Sequence, residues 1–480
     1  MIEKSNNTPA LRQPISSSVG ITVVLAMTVF ITSLAISSVN IILPRLVGAL
    51  GSNFEDVQWV TIAYMLSLTP TLIITGQLSD TLGRKPLFLL GLIIFTLSAG
   101  MCGLIDNLGL LITVRAIQGV GGAILITLTL AIISDVFPKR NVAAVIGLTG
   151  SMSALGTALG PVISGILADL INWQSVFLIK AFLGGVTFLI AYKYLPDIPN
   201  PHRAQTKKKF SVDYLGIVLL FLSIVIYTFS LKEAVHIVSA KSVGLFFVSM
   251  LFLWLFIHAE KQAQSPLINF TLFSNGERVT SLFSNLMVST VAMTSMVIGP
   301  FYLSIALQLS LVHIGFVIAV SPCAVAITSS IVGRFATVDK LTDIILTGLF
   351  IMVLGTFCMT QLTVEHGLVG YMACTVVISI GYAIFLSANN TFTMINAPAN
   401  SRGSVSGILN LSRMLGLLTG ASLMSSIFAS NSGMTSTSVT HSQLIEAGLH
   451  SAYYLACLLL VVAILAQITA RITTPITTRH

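Results

Sequence analysis

The sequence predicts an all-α polytopic membrane protein, and three observations carry that prediction. Apolar types make up 55% of the 480 residues and charged types only 8%, against about 25% charged in a typical globular chain. Mean hydropathy is +0.95. The charged residues are gathered between apolar runs of about twenty residues, the length that crosses roughly 30 Å of hydrocarbon at 1.5 Å per residue. So few charges cannot clothe a water-soluble surface, and runs this long exclude an outer-membrane barrel of alternating ten-residue strands.

Taken in order, the candidate spans fall near residues 20–43, 57–79, 86–105, 110–134, 141–165, 174–195, 212–231, 241–259, 279–303, 312–333, 341–360, 366–390, 402–427 and 451–470. The first is long enough to span and has no cleavage-site pattern, so it reads as a retained helix. The second and the thirteenth carry more polar residues than the rest. An even count places both termini on one side.

The lysines and arginines set the orientation. With both termini cytoplasmic, the inner connections and tails hold Lys4, Arg12, Arg84, Lys85, Lys139, Arg140, Lys193, Arg203, Lys207, Lys208, Lys209, Lys261, Arg278, Arg334, Lys340, Arg402, Arg471 and Arg479, which is 18 of the 24 basic residues. Outer connections hold Lys232 and Lys241, with Arg45 at the outer end of the first helix. This asymmetry follows the positive-inside rule, so the span count and the orientation support one another. The net charge of +8 is therefore an orientation signal and does not point to nucleic acid. Arg115, Lys180 and Arg413 remain at lipid depth, and no carboxylate falls at the middle of a span, where proton relays usually sit.

The five cysteines, Cys102, Cys323, Cys358, Cys374 and Cys457, are scattered through apolar segments with no CxxC pair, and read as small buried hydrophobes. No metal-ligand cluster, cofactor motif, Walker sequence or Ser-His-Asp set is present, so neither an enzyme nor an ATP-driven machine is expected. His313, His366 and His441 read as loop or helix-end residues. Residues 196–211, PDIPNPHRAQTKKKFS, cannot form a span and read as a cytoplasmic linker near anionic lipid. The stretch 428–450 reads as a long outer loop, with a mobile lid as the functional alternative.

The motifs then become specific. Residues 76–86, GQLSDTLGRKP, join the second and third spans: Gly76 and Gly83 permit close approach and a tight turn, and Asp80, Arg84 and Lys85 supply a charge network at helix ends. Residues 115–123, RAIQGVGGA, place Arg115 inside the fourth span with Gln118 behind it, where burial demands acceptors, water or an anion unless the side chain snorkels outward. Residues 154–169, ALGTALGPVISGILAD, set Gly156 and Gly160 on one helix face beside Pro161, with Gly147, Gly150 and Gly165 extending it.

These stretches resemble the signature loop, the second motif and the antiporter motif of the major facilitator superfamily. Residues 172–185, NWQSVFLIKAFLGG, and 402–423, RGSVSGILNLSRMLGLLTGASL, are similar to its fourteen-helix drug:proton antiporter branch. The resemblance covers essentially the whole chain. It implies a cytoplasmic tail at 1–19, a six-helix bundle at 20–195, the linker 196–211, two additional helices at 212–259, a second cytoplasmic linker at 260–278, a second bundle at 279–470 and a tail at 471–480. Transport would occur between the halves by alternating access. It also implies conformational gating by Gly76, Asp80, Gly83, Arg84, Lys85, Gly156, Gly160 and Pro161. Arg115 is implied in coupling, with Asp56 and Glu55 as acidic candidates near the outer side.

Two positions depart from that branch. Ala35 stands where an acidic residue is typical and Lys180 where an asparagine is usual, which makes a cavity less suited to lipophilic cations. Lys180 either snorkels outward beside Trp173 and Asp169 or has a purpose inside. Candidate cavity residues are Asn40, Tyr64, Gln118, Lys180, Asn285, Tyr302, Asn389, Asn390, Asn396, Asn410 and Arg413, with Asn410 and Arg413 on one helix face.

The reading is a secondary active transporter of the bacterial cytoplasmic (inner) membrane, a functional monomer among membrane lipids. It takes a small organic substrate, with protons as the candidate driving ion and no cofactor or metal. Proton-coupled efflux of drugs or small organic compounds is the family default. A carrier of a specific anionic or zwitterionic metabolite or chelator is the alternative, and a non-transporting receptor or scaffold is remote.

Overall fold

The computed structural model describes residues 15–196, 213–233, 240–263, 276–335, 340–395, 402–433 and 442–473, together with 267 and 273; it is helical throughout, with no strand among the described residues. Among the described residues, fourteen helical spans are long and apolar enough to cross a membrane.

The first span is split into α1 (Ile15–Ser37) and α2 (Val39–Ala49), with a bend at Ser38 and Pro44 inside α2. Then follow α3 (Phe54–Leu82), α4 (Arg84–Cys102), α5 (Leu108–Val136), α6 (Lys139–Leu170), α7 (Ser175–Tyr194), α8 (Tyr214–Glu233), α9 (Ala240–Gln262) and α10 (Gly276–Phe301), which runs on through a π-helical turn at Tyr302–Ala306. The chain continues with α11 (Leu311–Phe335), α12 (Leu341–Thr360), α13 (Gly367–Ile395) and α14 (Arg402–Thr419). A second π turn at Gly420–Met424 leads into α15 (Ser425–Asn431), and α16 (Ser442–Thr473) closes the chain.

Successive spans alternate in direction, so the turns collect at two ends. One end carries the connections at 50–53, 103–107, 171–174 and 307–310, and is called the Asp169 end below. The other carries the 82–84 and 137–138 turns and is called the Arg84 end. Short polar residues punctuate the Asp169 end. Asn53 accepts from the Asp56 backbone N–H at 2.8 Å, Asn107 from Leu110 at 3.1 Å and Asn172 from Ser175 at 2.9 Å, each satisfying an N–H that the following first turn leaves unpaired. At the Arg84 end, Gly83 takes φ +88°, which a side chain would resist, and lets α3 turn directly into α4.

Helices α1 to α7 pack on one another, chiefly α3 on α5, α1 on α6, and α4 on α5 and α7. Helices α10 to α16 form a second group, chiefly α12 on α13 and α16, and α10 on α14 and α16. In lipid, apolar side chains gain little from leaving one apolar solvent for another, so close backbone approach has to supply the packing. The two groups use the same device. A Cβ on Gly121 of α5 would lie 2.7 Å from the Phe95 nitrogen of α4, and one on Gly348 of α12 would lie 2.6 Å from the Phe385 nitrogen of α13.

Helices α8 and α9 pair through reciprocal hydroxyl-to-carbonyl bonds, Ser223 to Ser249 at 3.3 Å and Ser249 to Ser223 at 3.1 Å. They dock on the rest through α8, where Lys232 donates to the Glu55 carbonyl at 2.9 Å and the Tyr227 hydroxyl meets Thr419 at 3.0 Å.

Two sequence expectations change. The first span extends to Ala49 and is divided at Ser38, and Pro44, within α2, leaves the Asn40 carbonyl without its usual i+4 donor. The stretch expected as a long outer loop or lid at 428–450 is helical at both ends. It belongs to α15 up to Asn431 and to α16 from Ser442, where the His450 ring bonds the Leu362 carbonyl at 2.6 Å. Residues 434–441, with His441, lie outside the described residues.

Candidate functional site

The glycines of α6 are divided among three surroundings. A Cβ on Gly156 would meet the Phe30 carbonyl at 2.5 Å, and one on Gly160 would strike Ser37, so this face is pressed onto α1. Nearer the Asp169 end, Gly165 abuts the Leu311 backbone, and a Cβ on Gly315 would lie 2.5 Å from the Pro161 carbonyl, so α6 is equally tight against α11. Gly147 and Gly150, toward the Arg84 end, have nothing within 4 Å.

The Asp169 end is sealed across the two helix groups. Phe54 meets Phe301 edge-on at 4.4 Å and Phe428 at 5.5 Å. The Asp169 carboxylate accepts from the Val312 backbone N–H at 3.0 Å, capping α11 from the neighbouring helix group, and lies 3.5 Å from Arg45. A carboxylate at a helix N-terminus meets both an unpaired N–H and the positive end of the helix dipole. At the Arg84 end an open depression of about 480 Å³ is lined by Asn390, Thr391, Met394 and Ile395 of α13.

Inside the first helix group lie two buried cations. Arg115 is 1% exposed and Lys180 0%, so neither side chain snorkels to the surface. Arg115 donates from Nε to the Val60 carbonyl at 3.1 Å and from Nη1 to Gln118 Oε1 at 2.6 Å, and its guanidinium lies 4.2 Å over the Tyr64 ring. Lys180 donates to Ser38 Oγ at 3.1 Å and sits 4.3 Å over the Phe177 ring, 6.0 Å from which lies Arg115. The bend in the first span thus occurs where a lysine from α7 reaches it. Asn40 accepts from Thr61 at 2.9 Å, while its Nδ2, the Gln118 Nε2, the Tyr64 hydroxyl and both polar atoms of Gln58 are buried without a partner. Among the described residues the one buried acidic side chain is Glu260, on α9.

The second helix group holds a different polar set. Asn389 accepts from Ser281 at 2.7 Å and Asn285 donates to the Leu409 carbonyl at 2.9 Å, so both tie helices together. Asn410 accepts from Arg413 at 2.9 Å, as their spacing predicts, and Arg413 is half-buried. Tyr302, in the π turn, stacks on Tyr371 at 5.7 Å with its hydroxyl unpartnered. Asn390 borders the open depression, and Asn396 lies outside the described residues.

The charged loop at the Arg84 end makes a contact the sequence did not reveal. Arg84 bonds the Ala131 carbonyl at 2.6 Å and pairs with Asp135 at the end of α5. Gly76 has open space around it, and Lys85 is half-buried. Asp56 is exposed and Glu55 half-buried in the first turn of α3, where a helix dipole favours carboxylates.

Of the predicted site residues, Arg115, Gln118, Tyr64, Asn40 and Lys180 are thus brought into one region, and Asn410 with Arg413 into another. Ser38, Phe177, Asp135 and Asp169 are the partners that sequence reasoning did not assign. Phe177 stands three residues before Lys180, a spacing that places both on one helix face. The others come from distant segments.

A family model described as Major Facilitator Superfamily matches residues 25–421 and 282–479. The riboflavin transporter RibZ of Clostridioides difficile is 27% identical over 434 residues, covering 90% of this chain and 93% of the relative. Multidrug resistance protein 3 of Bacillus subtilis is 27% identical over 386 residues, covering 80% and 74%. Among solved structures, a bacterial homologue of the human lysosomal transporter Spinster, inward-facing and occupied, aligns with a TM-score of 0.68 at 15% identity, covering 96% of this chain and 98% of that one. The chain is an integral membrane transporter, not an enzyme, and it belongs to the Major Facilitator Superfamily.

Proposed function

We propose that the chain moves a small organic solute across the bacterial cytoplasmic membrane by alternating access, with both termini in the cytoplasm, and that the state described here is open toward the cytoplasm. The observation that carries this reading is the one-sided seal. Helix α6 is locked to α11 from Pro161 to Asp169, while Gly147 and Gly150 of the same helix have no neighbour. Two helix groups that meet at one end and part at the other form a rocker around a central site. The lysine and arginine asymmetry supports a cytoplasmic Arg84 end. The bundles at 20–195 and 279–470 are the moving halves, and the pair at 212–259 touches both, through Lys232 on α3 and Tyr227 on α14. The protein acts as a monomer whose exposed apolar flanks face lipid.

The cations Arg115, Lys180 and Arg413, in spans without a buried carboxylate at their centre, favour an anionic or zwitterionic solute over a lipophilic cation. The second reading is proton-coupled drug efflux, supported by the name of the Bacillus subtilis relative. In that reading Arg115 works with Asp56 or Glu55. The test is flux in proteoliposomes for solutes matched in size and differing in charge, with pH and membrane potential set separately. An organic anion should move and a cationic dye should not; the reverse preference overturns the charge assignment. If Asp56 couples protons, D56N abolishes uphill transport and spares exchange, whereas unchanged uphill transport removes Asp56 from coupling.

A further inference from the structure

We infer that Arg115 and Lys180, with Ser38, Asn40 and Gln118, form a binding site for one small anionic group, a carboxylate or a halide, enclosed near the sealed end of the first helix group. The inference rests on the reading of the chain as an alternating-access carrier and deepens it by naming the site and the ligand chemistry.

The donor and acceptor inventory points to an anion. Arg115 has five N–H donors, whose protein partners are the Val60 carbonyl and Gln118 Oε1; Lys180 has three, with Ser38 Oγ as the partner. All of these acceptors are neutral. Beside them the Gln118 Nε2, Asn40 Nδ2 and Tyr64 hydroxyl are buried donors without a partner. With Gln58 contributing one unpartnered donor, Nε2, and one unpartnered acceptor, Oε1, the cluster holds two cations and more unpartnered donors than acceptors.

Both cations lie within about 6 Å of the Phe177 ring centre. Aromatic faces soften this charge but do not neutralise it. Two like charges withdrawn from water side by side destabilise the fold unless a counter-charge joins them. At that end Asp169 is engaged with Val312 and Arg45 and Asp106 with Gln174 at 3.0 Å, while Glu55 and Asp56 sit in the first turn of α3, outside the buried cluster.

The guanidinium comes from α5 and the ammonium from α7, both near the Phe177 ring, and the unpartnered amides of Asn40 and Gln118 come from α2 and α5. Ser38, the one residue between α1 and α2, keeps helical backbone angles, φ −70° and ψ −32°, and its hydroxyl accepts from Lys180 at the junction of the two segments. Arg115 is seven residues inside α5 and Lys180 five inside α7, so the site lies on the Asp169 side of the centre. It is shut from solvent in this state and exchanges when the seal opens.

The test is thermal unfolding of the full-length protein in detergent, in a buffer whose only anion is a bulky sulfonate, titrated with sodium chloride or sodium benzoate at constant ionic strength. A ligand that binds only the folded state raises the midpoint in a saturable way. Wild type should show that rise. K180Q should weaken the apparent affinity about tenfold or more, the scale of one charge-assisted hydrogen bond. K180M serves if K180Q does not fold, and K241Q, which alters the exposed Lys241–Glu233 pair, controls for overall charge. A response to benzoate alone assigns the site to an organic carboxylate, and a response to chloride as well assigns it to halide-sized anions. No rise in wild type, or an equal rise in the Lys180 variants, overturns the inference. Transport of an organic anion with unaltered binding in K180Q removes this site and leaves the carrier reading intact.

Discussion

Lys180 has a hydroxyl and an aromatic face for partners, and no carboxylate. Most buried side chains stabilise the fold they occupy; an uncompensated cation does the opposite, because its desolvation is not offset by a counter-charge. In an anion-free buffer K180M should therefore raise the unfolding midpoint, by the equivalent of about 1 kcal/mol or more. A fall of similar size would show that Lys180 is a structural tie. Arg115 behaves differently, since it satisfies the Val60 carbonyl and Gln118, and R115M should destabilise by about 1 to 3 kcal/mol through those orphaned acceptors. The sequence revealed both cations at this scale, because a basic residue within an apolar run is conspicuous. It did not reveal their partners: Ser38 is 142 positions from Lys180, and no periodicity connects them.

At the scale of the helix, α6 is the element whose sequence carries most of the mechanism. Its small residues read as one packing face, and the structure divides them between α1, α11 and open space. That division was illegible because a run of glycines states that helices approach and not which ones. G165V should displace α11 and reduce transport about tenfold or more, whereas G147A, with nothing within 4 Å, should change stability by less than about 0.5 kcal/mol. Unfolding midpoints and proteoliposome flux check the pair. Sequence reasoning named Asp169 as a residue beside which Lys180 would snorkel; it caps α11 across the interface. D169A removes a cap worth about 1 kcal/mol and should raise the fraction open at that end about fivefold. Spin-label distances across the seal measure that fraction, and an unchanged distribution would show that Asp169 does not hold the end closed.

For the whole molecule, the count of spans, their order and the family were legible, since each rests on a run of twenty residues or on a contiguous motif. The expected spans agree with the structure to within a few residues at most boundaries. They differ where backbone geometry decides, as at Ser38, and where a polar stretch is helical, as from Ser442. Which end is closed was not legible, because one sequence serves every state of a transport cycle. Asn40, Arg115 and Lys180 stand on α2, α5 and α7, so no local motif contains them. Alternating access makes the seal at the Asp169 end and the open space at Gly147 and Gly150 two faces of one rigid motion, so they should change together. Spin labels on cysteines at 170 and 313 report the first, and labels at 148 and 327 report the second, in a chain from which Cys323 and Cys358 have been replaced. The direct test is to follow both distances while a transported solute is added. Alternating access predicts that the 170–313 distance lengthens as the 148–327 distance shortens; transport with both distances unchanged, or with both lengthening together, would contradict it.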